Sequence, residues 1–119
     1  MAKKILIAED ELLVALVTKK KLECCGYKVC GISKTGKGTI ESAFEDDPDL
    51  MIVDIYLEDD VDGIEAIKEI HKTRYIPAII TTASNDSRTR QRACEAKIVK
   101  YLNKPYSFDD LLETIDSVE

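Results

Sequence analysis

Leu50-Met51-Ile52-Val53-Asp54 decides how this chain is read: four apolar residues without polar alternation, then a carboxylate. A strand covered on both faces of a parallel sheet has this composition, whereas a strand with one wet face alternates. Three further runs end in the same way. Ile5-Leu6-Ile7-Ala8 leads into Glu9-Asp10, Ala78-Ile79-Ile80 into Thr81-Thr82, and Val99-Lys100-Tyr101-Leu102 into Asn103-Lys104-Pro105. Parallel strands end at one edge of their sheet, where open α/β sheets bind ligands. Glu9, Asp10, Asp54, Thr82 and Lys104 are therefore expected together. Singly, Asp10 could cap a helix and Thr82 could open a turn. All five at one edge point to a site.

Another apolar run lies near residues 27–32, and segments of helical spacing separate the runs. Leu12, Leu13, Leu16, Val17 and Leu22 mark the first helix, which Gly26 stops. Ile40, Ala43 and Phe44 mark the second, closed by an Asp47-Pro48 turn. The third carries Ile64, Ile67 and Ile70. The last carries Phe108, Leu111, Leu112 and Ile115, with Ser107 as N-cap. Between them, residues 86–96 offer only Ala93, Cys94 and Ala96 for burial, so a loosely held fourth helix is expected. The pattern is five βα units in one three-layer α/β domain spanning residues 1–119.

Composition sets limits. With 119 residues the chain can bury a full core without staples. Its net charge of −6 argues against nucleic acid as a direct partner. No apolar stretch is long enough for membrane insertion and no signal-peptide pattern opens the chain, so a cytoplasmic protein is expected. Cys24, Cys25, Cys30 and Cys94 include no C-x-x-C pair, and they read as buried or half-buried free thiols. His71, the lone histidine, reads as a surface residue on the third helix.

The chemistry follows from charge. Three carboxylates within a few ångströms repel by about 4 kcal/mol per pair at an effective dielectric near 20. A hard divalent cation relieves this, and an all-oxygen ligand set suits Mg²⁺. Lys104 adds a further positive charge. Such a cluster fits phosphoryl transfer, which depends on positioning and charge neutralisation. A carboxylate can itself be the nucleophile, and Asp54, ending a central strand, is the best placed.

At these residues the chain resembles the receiver domains of two-component response regulators, and is similar to single-domain chemotaxis-type regulators. The resemblance rests on AEDE at 8–11, PDLMIVDIYL at 48–57, DGIEAI at 62–67, IPAIITTA at 76–83 and YLNKPY at 101–106. It implies a flavodoxin-like (βα)5 fold with a parallel sheet in the order 2-1-3-4-5. It implies that Asp54 accepts phosphate from a sensor histidine kinase, a phosphotransfer protein or a small phosphodonor. Glu9, Asp10, Asp54 and the Tyr56 backbone carbonyl would hold Mg²⁺. Lys104 would pair with one phosphoryl oxygen and Thr82 with another, while Tyr101 swings inward as the switch. Such a domain modifies only itself and is no enzyme in the usual sense. Its output would pass to a downstream protein or a further output domain, through a face of the fourth helix, fifth strand and fifth helix carrying Arg90, Lys97, Lys100 and Tyr101. That face is also where a homodimer would form. The Lys104-Pro105 bond is cis in the family, which the sequence allows.

Some residues depart from the family. The loop after Asp54 carries Glu58-Asp59-Asp60, lacks the usual proline and is one residue longer; its acids are expected to be solvated. Lys97-Ile98 replaces the usual Gly-Ala and puts that turn in doubt. Tyr56 and Ser84 stand where relatives tune phosphate lifetime, and a bulky Tyr56 is expected to slow hydrolysis. Gly31 to Gly38 nearly matches a phosphate-binding loop, but Gly38 stands where Mg²⁺ coordination needs Ser or Thr. Flavin or nucleotide binding is thus a remote alternative. The nearer alternative is a pseudo-receiver that binds partners without phosphate.

Overall fold

A computed structural model describes residues 3–118. Strands and helices alternate: β1 (Lys4–Ala8), α1 (Leu12–Cys24), β2 (Lys28–Ser33), α2 (Gly36–Asp46), β3 (Leu50–Asp54), α3 (Gly63–His71), β4 (Ala78–Thr82), α4 (Ser87–Glu95), β5 (Lys100–Asn103) and α5 (Phe108–Asp116). All strand pairs are parallel, in the order β2-β1-β3-β4-β5. This is the flavodoxin-like arrangement expected of the sequence. Every residue of β3 and β4 is buried, while the outer strands β2 and β5 keep exposed or half-buried positions.

The strand period of two divides the core into layers. Ile5, Ile7, Leu50 and Ile52 face α1 and α5, meeting Ala15, Leu22, Leu111 and Ile115. Leu6, Ala8, Met51 and Val53 face the other way, meeting Ala43, Ile64, Ile67, Ile70 and Ala93 of α2, α3 and α4. Ser107 caps α5 by accepting the Asp110 N–H at 3.0 Å. Asp47 ends α2 in a left-handed conformation just before Pro48.

Four expectations need correction. Leu12, Leu13, Leu16 and Val17 do not face the core: Leu13 is 75% exposed and Leu12 63%. The helix instead rests on buried Ala15 and Leu22, seven residues apart, with half-buried Thr18 and Lys19 between them. The thiols are also more open than expected, since Cys24, Cys25 and Cys94 are exposed and only Cys30 is half-buried. His71 is half-buried rather than a surface residue. Its Nδ1 lies 3.1 Å from the Ala96 carbonyl and its Nε2 2.9 Å from that of Ile76, so the ring buckles α3 to the end of α4. Finally, the turn before β5 forms without glycine. Lys97 adopts φ 58°, at a cost of about 1–2 kcal/mol for a residue with a Cβ.

The α1 correction has a measurable consequence. Leu22→Ala should lower unfolding free energy by about 2–5 kcal/mol, as for a fully buried leucine. Leu13→Ser should change it by less than about 0.5 kcal/mol. Urea denaturation of the two variants checks the contrast, and a large loss in Leu13→Ser would contradict the placement of the helix.

Candidate functional site

The carboxyl edge of the sheet gathers the residues singled out above. Glu9 follows β1 and is 5% exposed; Asp54 ends the neighbouring β3 and is 6% exposed. Exposed Asp10 stands at the mouth. One carboxylate oxygen from each of the three lies within 4.8 Å of the others. α3 starts hard against this edge: the Gly63 N–H donates to the Ile55 carbonyl at 2.8 Å. A Cβ on Gly63 would sit 2.3 Å from the Asp54 carbonyl oxygen, so glycine is required for that approach.

Lys104 reaches in from the loop after β5. Its Nζ donates to Glu9 Oε1 and to Asp54 Oδ2, both at 2.9 Å. Burial pulls its ammonium down, but hydrogen bonds and charge from Asp54 and Glu9 outweigh that and hold it above the usual lysine range. The other oxygens are fixed by backbone. Asp54 Oδ1 accepts the Tyr56 N–H at 3.3 Å, and Glu9 Oε2 accepts the Glu11 N–H at 3.2 Å. Among the described residues Asp10 forms no ion pair. Desolvation at the mouth, then the hydrogen bond and charge of Glu9, raise its carboxyl above the ordinary value.

Thr82 ends β4 fully buried, its hydroxyl accepting the Ser84 N–H at 3.1 Å. Its carbonyl accepts the Lys104 N–H at 2.8 Å, which joins β4 to the lysine's loop. Tyr101 is half-buried on β5, and its hydroxyl donates to the Ser84 carbonyl at 3.1 Å. Its ring lies 4.6 Å beneath the Arg90 guanidinium of α4. Sequence reading gave Asn103 no role, yet its amide donates to the same Ser84 carbonyl at 2.7 Å. The Lys104-Pro105 bond is cis.

The loop between β3 and α3 is less solvated than expected. Asp59 accepts the Gly36 N–H at 2.6 Å and the Lys37 N–H at 3.0 Å, at the start of α2. Thr35 accepts the Gly38 N–H through its hydroxyl at 2.9 Å and the Thr39 N–H through its carbonyl at 3.0 Å. The first four N–H groups of α2 are thus all taken, so the phosphate-loop resemblance of residues 31–38 has no donors left to offer. Asp62 caps α3 through the Glu65 N–H at 2.9 Å and binds Arg92 of α4 at 2.8 Å. A sequence signal existed for Asp62, an Asx residue three before Glu65. None existed for Asp59, whose partner lies 23 residues away.

Glu9, Asp10 and Asp54 form a hard, all-oxygen donor set open to solvent at Asp10, and this chemistry fits a divalent cation such as Mg²⁺. Among the described residues no helix is long and apolar enough to cross a membrane.

Comparisons with known proteins agree with the geometry. The family model for the response regulator receiver domain matches residues 5–116. The chain is 35% identical over 114 residues to the transcriptional regulatory protein PdtaR of Mycobacterium tuberculosis, covering 96% of this chain but 55% of that protein. It thus spans about half the length of that relative. It is 34% identical to the polar-differentiation response regulator DivK of Brucella abortus, covering 98% of this chain and 96% of DivK. Among solved structures, the signal receiver domain of a modulated diguanylate cyclase from Desulfovibrio desulfuricans superposes with a TM-score of 0.91 at 33% identity, covering 99% of this chain and 94% of that one. A CheY-like receiver domain protein from Methanospirillum hungatei gives 0.91 at 29% identity, covering 98% and 92%.

The raised Asp10 carboxyl sets a pH dependence. The folded chain retains a proton there that the unfolded chain has already released, so stability falls as pH rises through and just above the ordinary carboxylate range. Asp10→Asn should remove that fall. In chelator-treated protein it should be the more stable variant above the ordinary carboxylate range, by less than about 1 kcal/mol because solvent screens an exposed carboxyl. Thermal denaturation between pH 4 and 7 checks this, and a variant less stable than the parent would count against it.

Proposed function

The chain belongs to the response regulator receiver domain family of two-component signalling, and on that premise we propose that Asp54 is its phosphoacceptor in a Mg²⁺-dependent switch. The observation that carries the reading is Lys104 bridging Glu9 and Asp54 in a pocket with a third carboxylate alongside. Glu9, Asp10, Asp54 and the Tyr56 carbonyl would hold the cation. Bound there, Mg²⁺ supplies positive charge to the carboxylates and to the phosphoryl oxygens.

Asp54 is oriented for attack. Lys104 holds one of its oxygens and the Tyr56 N–H the other, so the carboxylate cannot rotate freely. A carboxylate oxygen bonds to phosphorus as the phosphorus–nitrogen bond of a phosphohistidine breaks, and the ring leaves as neutral imidazole, keeping the proton already on its other nitrogen. The product carries about −1.5 to −2 added charge. Lys104 then exchanges a carboxylate for a phosphoryl oxygen. The Thr82 hydroxyl, now bonded to Ser84, offers its proton to another, and the loop that Tyr101 and Asn103 hold through the Ser84 carbonyl moves with it. The Tyr101 ring follows inward. The chain modifies itself and releases its own phosphate; exposed Tyr56 shields the adduct from water.

A sensor histidine kinase or phosphotransfer protein must rest beside Asp54 to deliver its phosphoryl group. Exposed Val14 and Val17 of α1 line a groove of about 530 Å³ with Lys104, Pro105 and Phe108. We assign this surface to the phosphodonor. Output would pass from the face bearing Arg90, Lys97, Lys100 and Tyr101 to a downstream protein, a linked output domain or a second copy.

With acetyl phosphate and Mg²⁺, mass spectrometry should show one phosphate adduct, absent in Asp54→Ala and shorter-lived in Tyr56→Ala. No adduct with any donor would instead support a phosphate-independent interaction module. Val17→Ser should slow transfer from a cognate phosphohistidine protein about tenfold, on the scale of a lost apolar interface anchor, while its rate with acetyl phosphate stays unchanged. Equal slowing with both donors would remove α1 from the docking surface.

A further inference from the structure

The segment after the phosphoacceptor is fastened to α2 by contacts that the chemistry above does not use. Besides the two N–H groups that Asp59 accepts, the Glu58 N–H donates to the Lys34 carbonyl at 2.9 Å, and the Lys34 ammonium lies 3.9 Å from the Glu58 carboxylate. Gly36 completes the closure. A Cβ there would sit 2.1 Å from the Val61 carbonyl oxygen and 2.6 Å from Val61 Cβ, so the loop lies directly on the start of the helix. At its far end the loop is anchored again, by Asp62 to the Glu65 N–H and to Arg92. Tyr56 and Leu57 lie between Asp54 and these anchors.

Asp59 therefore differs from its acidic neighbours in kind. Its hydrogen bond from the Gly36 N–H is the first reason its carboxyl lies below the ordinary range. Exposed Asp60 makes no hydrogen bond or ion pair among the described residues. Both add one negative charge near the pocket, but only Asp59 constrains backbone.

We propose that Asp59 is a positioning residue for the cation site, holding the loop on the N-terminus of α2 so that the Tyr56 carbonyl stays beside Asp54. The inference rests on the assignment of that carbonyl to the cation. A ligand on a pinned loop is ordered before binding, whereas a ligand on a loose loop loses conformational freedom at the moment of binding.

Calorimetric titration of Mg²⁺ into the metal-free chain separates positioning from charge. Asp59→Ala, which removes both acceptors, should weaken affinity by about tenfold, in the range of lost outer-shell support, and Asp60→Ala by less than about twofold. Asp59→Asn, which keeps a carbonyl acceptor for the α2 N–H groups without the charge, should recover part of the affinity. Hydrogen exchange at Gly36 and Lys37 should quicken in Asp59→Ala and not in Asp60→Ala. Equal weakening in Asp59→Ala and Asp60→Ala, or parental affinity in Asp59→Ala, would overturn the proposal. Asp10→Asn keeps the two readings apart: if it binds Mg²⁺ as the parent does, the cation site itself is wrong, and the role of Asp59 falls with it.

Discussion

Two carboxylates at the ends of adjacent strands, both almost out of water, need a counter-charge, and Lys104 provides it. Its ammonium donates to Glu9 and to Asp54 at 2.9 Å each, and removing one partner of such a buried cluster costs several kcal/mol. The lysine comes from beyond β5, two places along the sheet from β3. A single side chain thus crosses the end of β4 and ties three strands at their carboxyl edge. Nearby features serve the same point: the Thr82 carbonyl holds the Lys104 backbone, and Gly63 lets α3 begin against Asp54. On the reading proposed above, phosphate and cation enter a balance that this ammonium already holds, which is why a local addition of charge can move a loop.

The central strands were legible because a strand buried on both faces has no polar alternation to confuse it, and β1, β3 and β4 meet that condition. The site was legible for the same reason: polar residues at the ends of such strands have no packing role. Helix α1 misled because its longest apolar residues are the ones turned outward. Periodicity finds a stripe of large side chains, but the sheet took the small Ala15 and the single Leu22. Asp59, Asn103 and His71 were missed for another reason. Each acts on backbone groups brought near only by the fold, and a backbone N–H or carbonyl carries no signature in the sequence.

The fourth helix buries as little as its composition led one to expect, though it is tied at more points than apolar contacts alone would supply. Ala93 and Thr89 are buried, and the remaining attachments are polar: Arg92 to Asp62, Arg90 over Tyr101, and His71 to the Ala96 carbonyl. Polar and cation–π attachments of half-exposed groups each contribute around 1 kcal/mol or less. They can be exchanged one at a time, whereas a packed apolar face must separate all at once. Two of the three lead toward the pocket, through the loop that follows Asp54 and through the Ser84 carbonyl.

Strand β5 spans four residues at the edge of the sheet and begins with an exposed lysine. Short, charged edges resist the addition of a further strand, because few backbone groups are free to pair and a cation must be desolvated to reach them. A partner meeting this side of the molecule finds little main chain to grip and must read side chains. Contact of that kind needs no strand to break when it changes, so the geometry of the sheet restricts the vocabulary of recognition here to side chains.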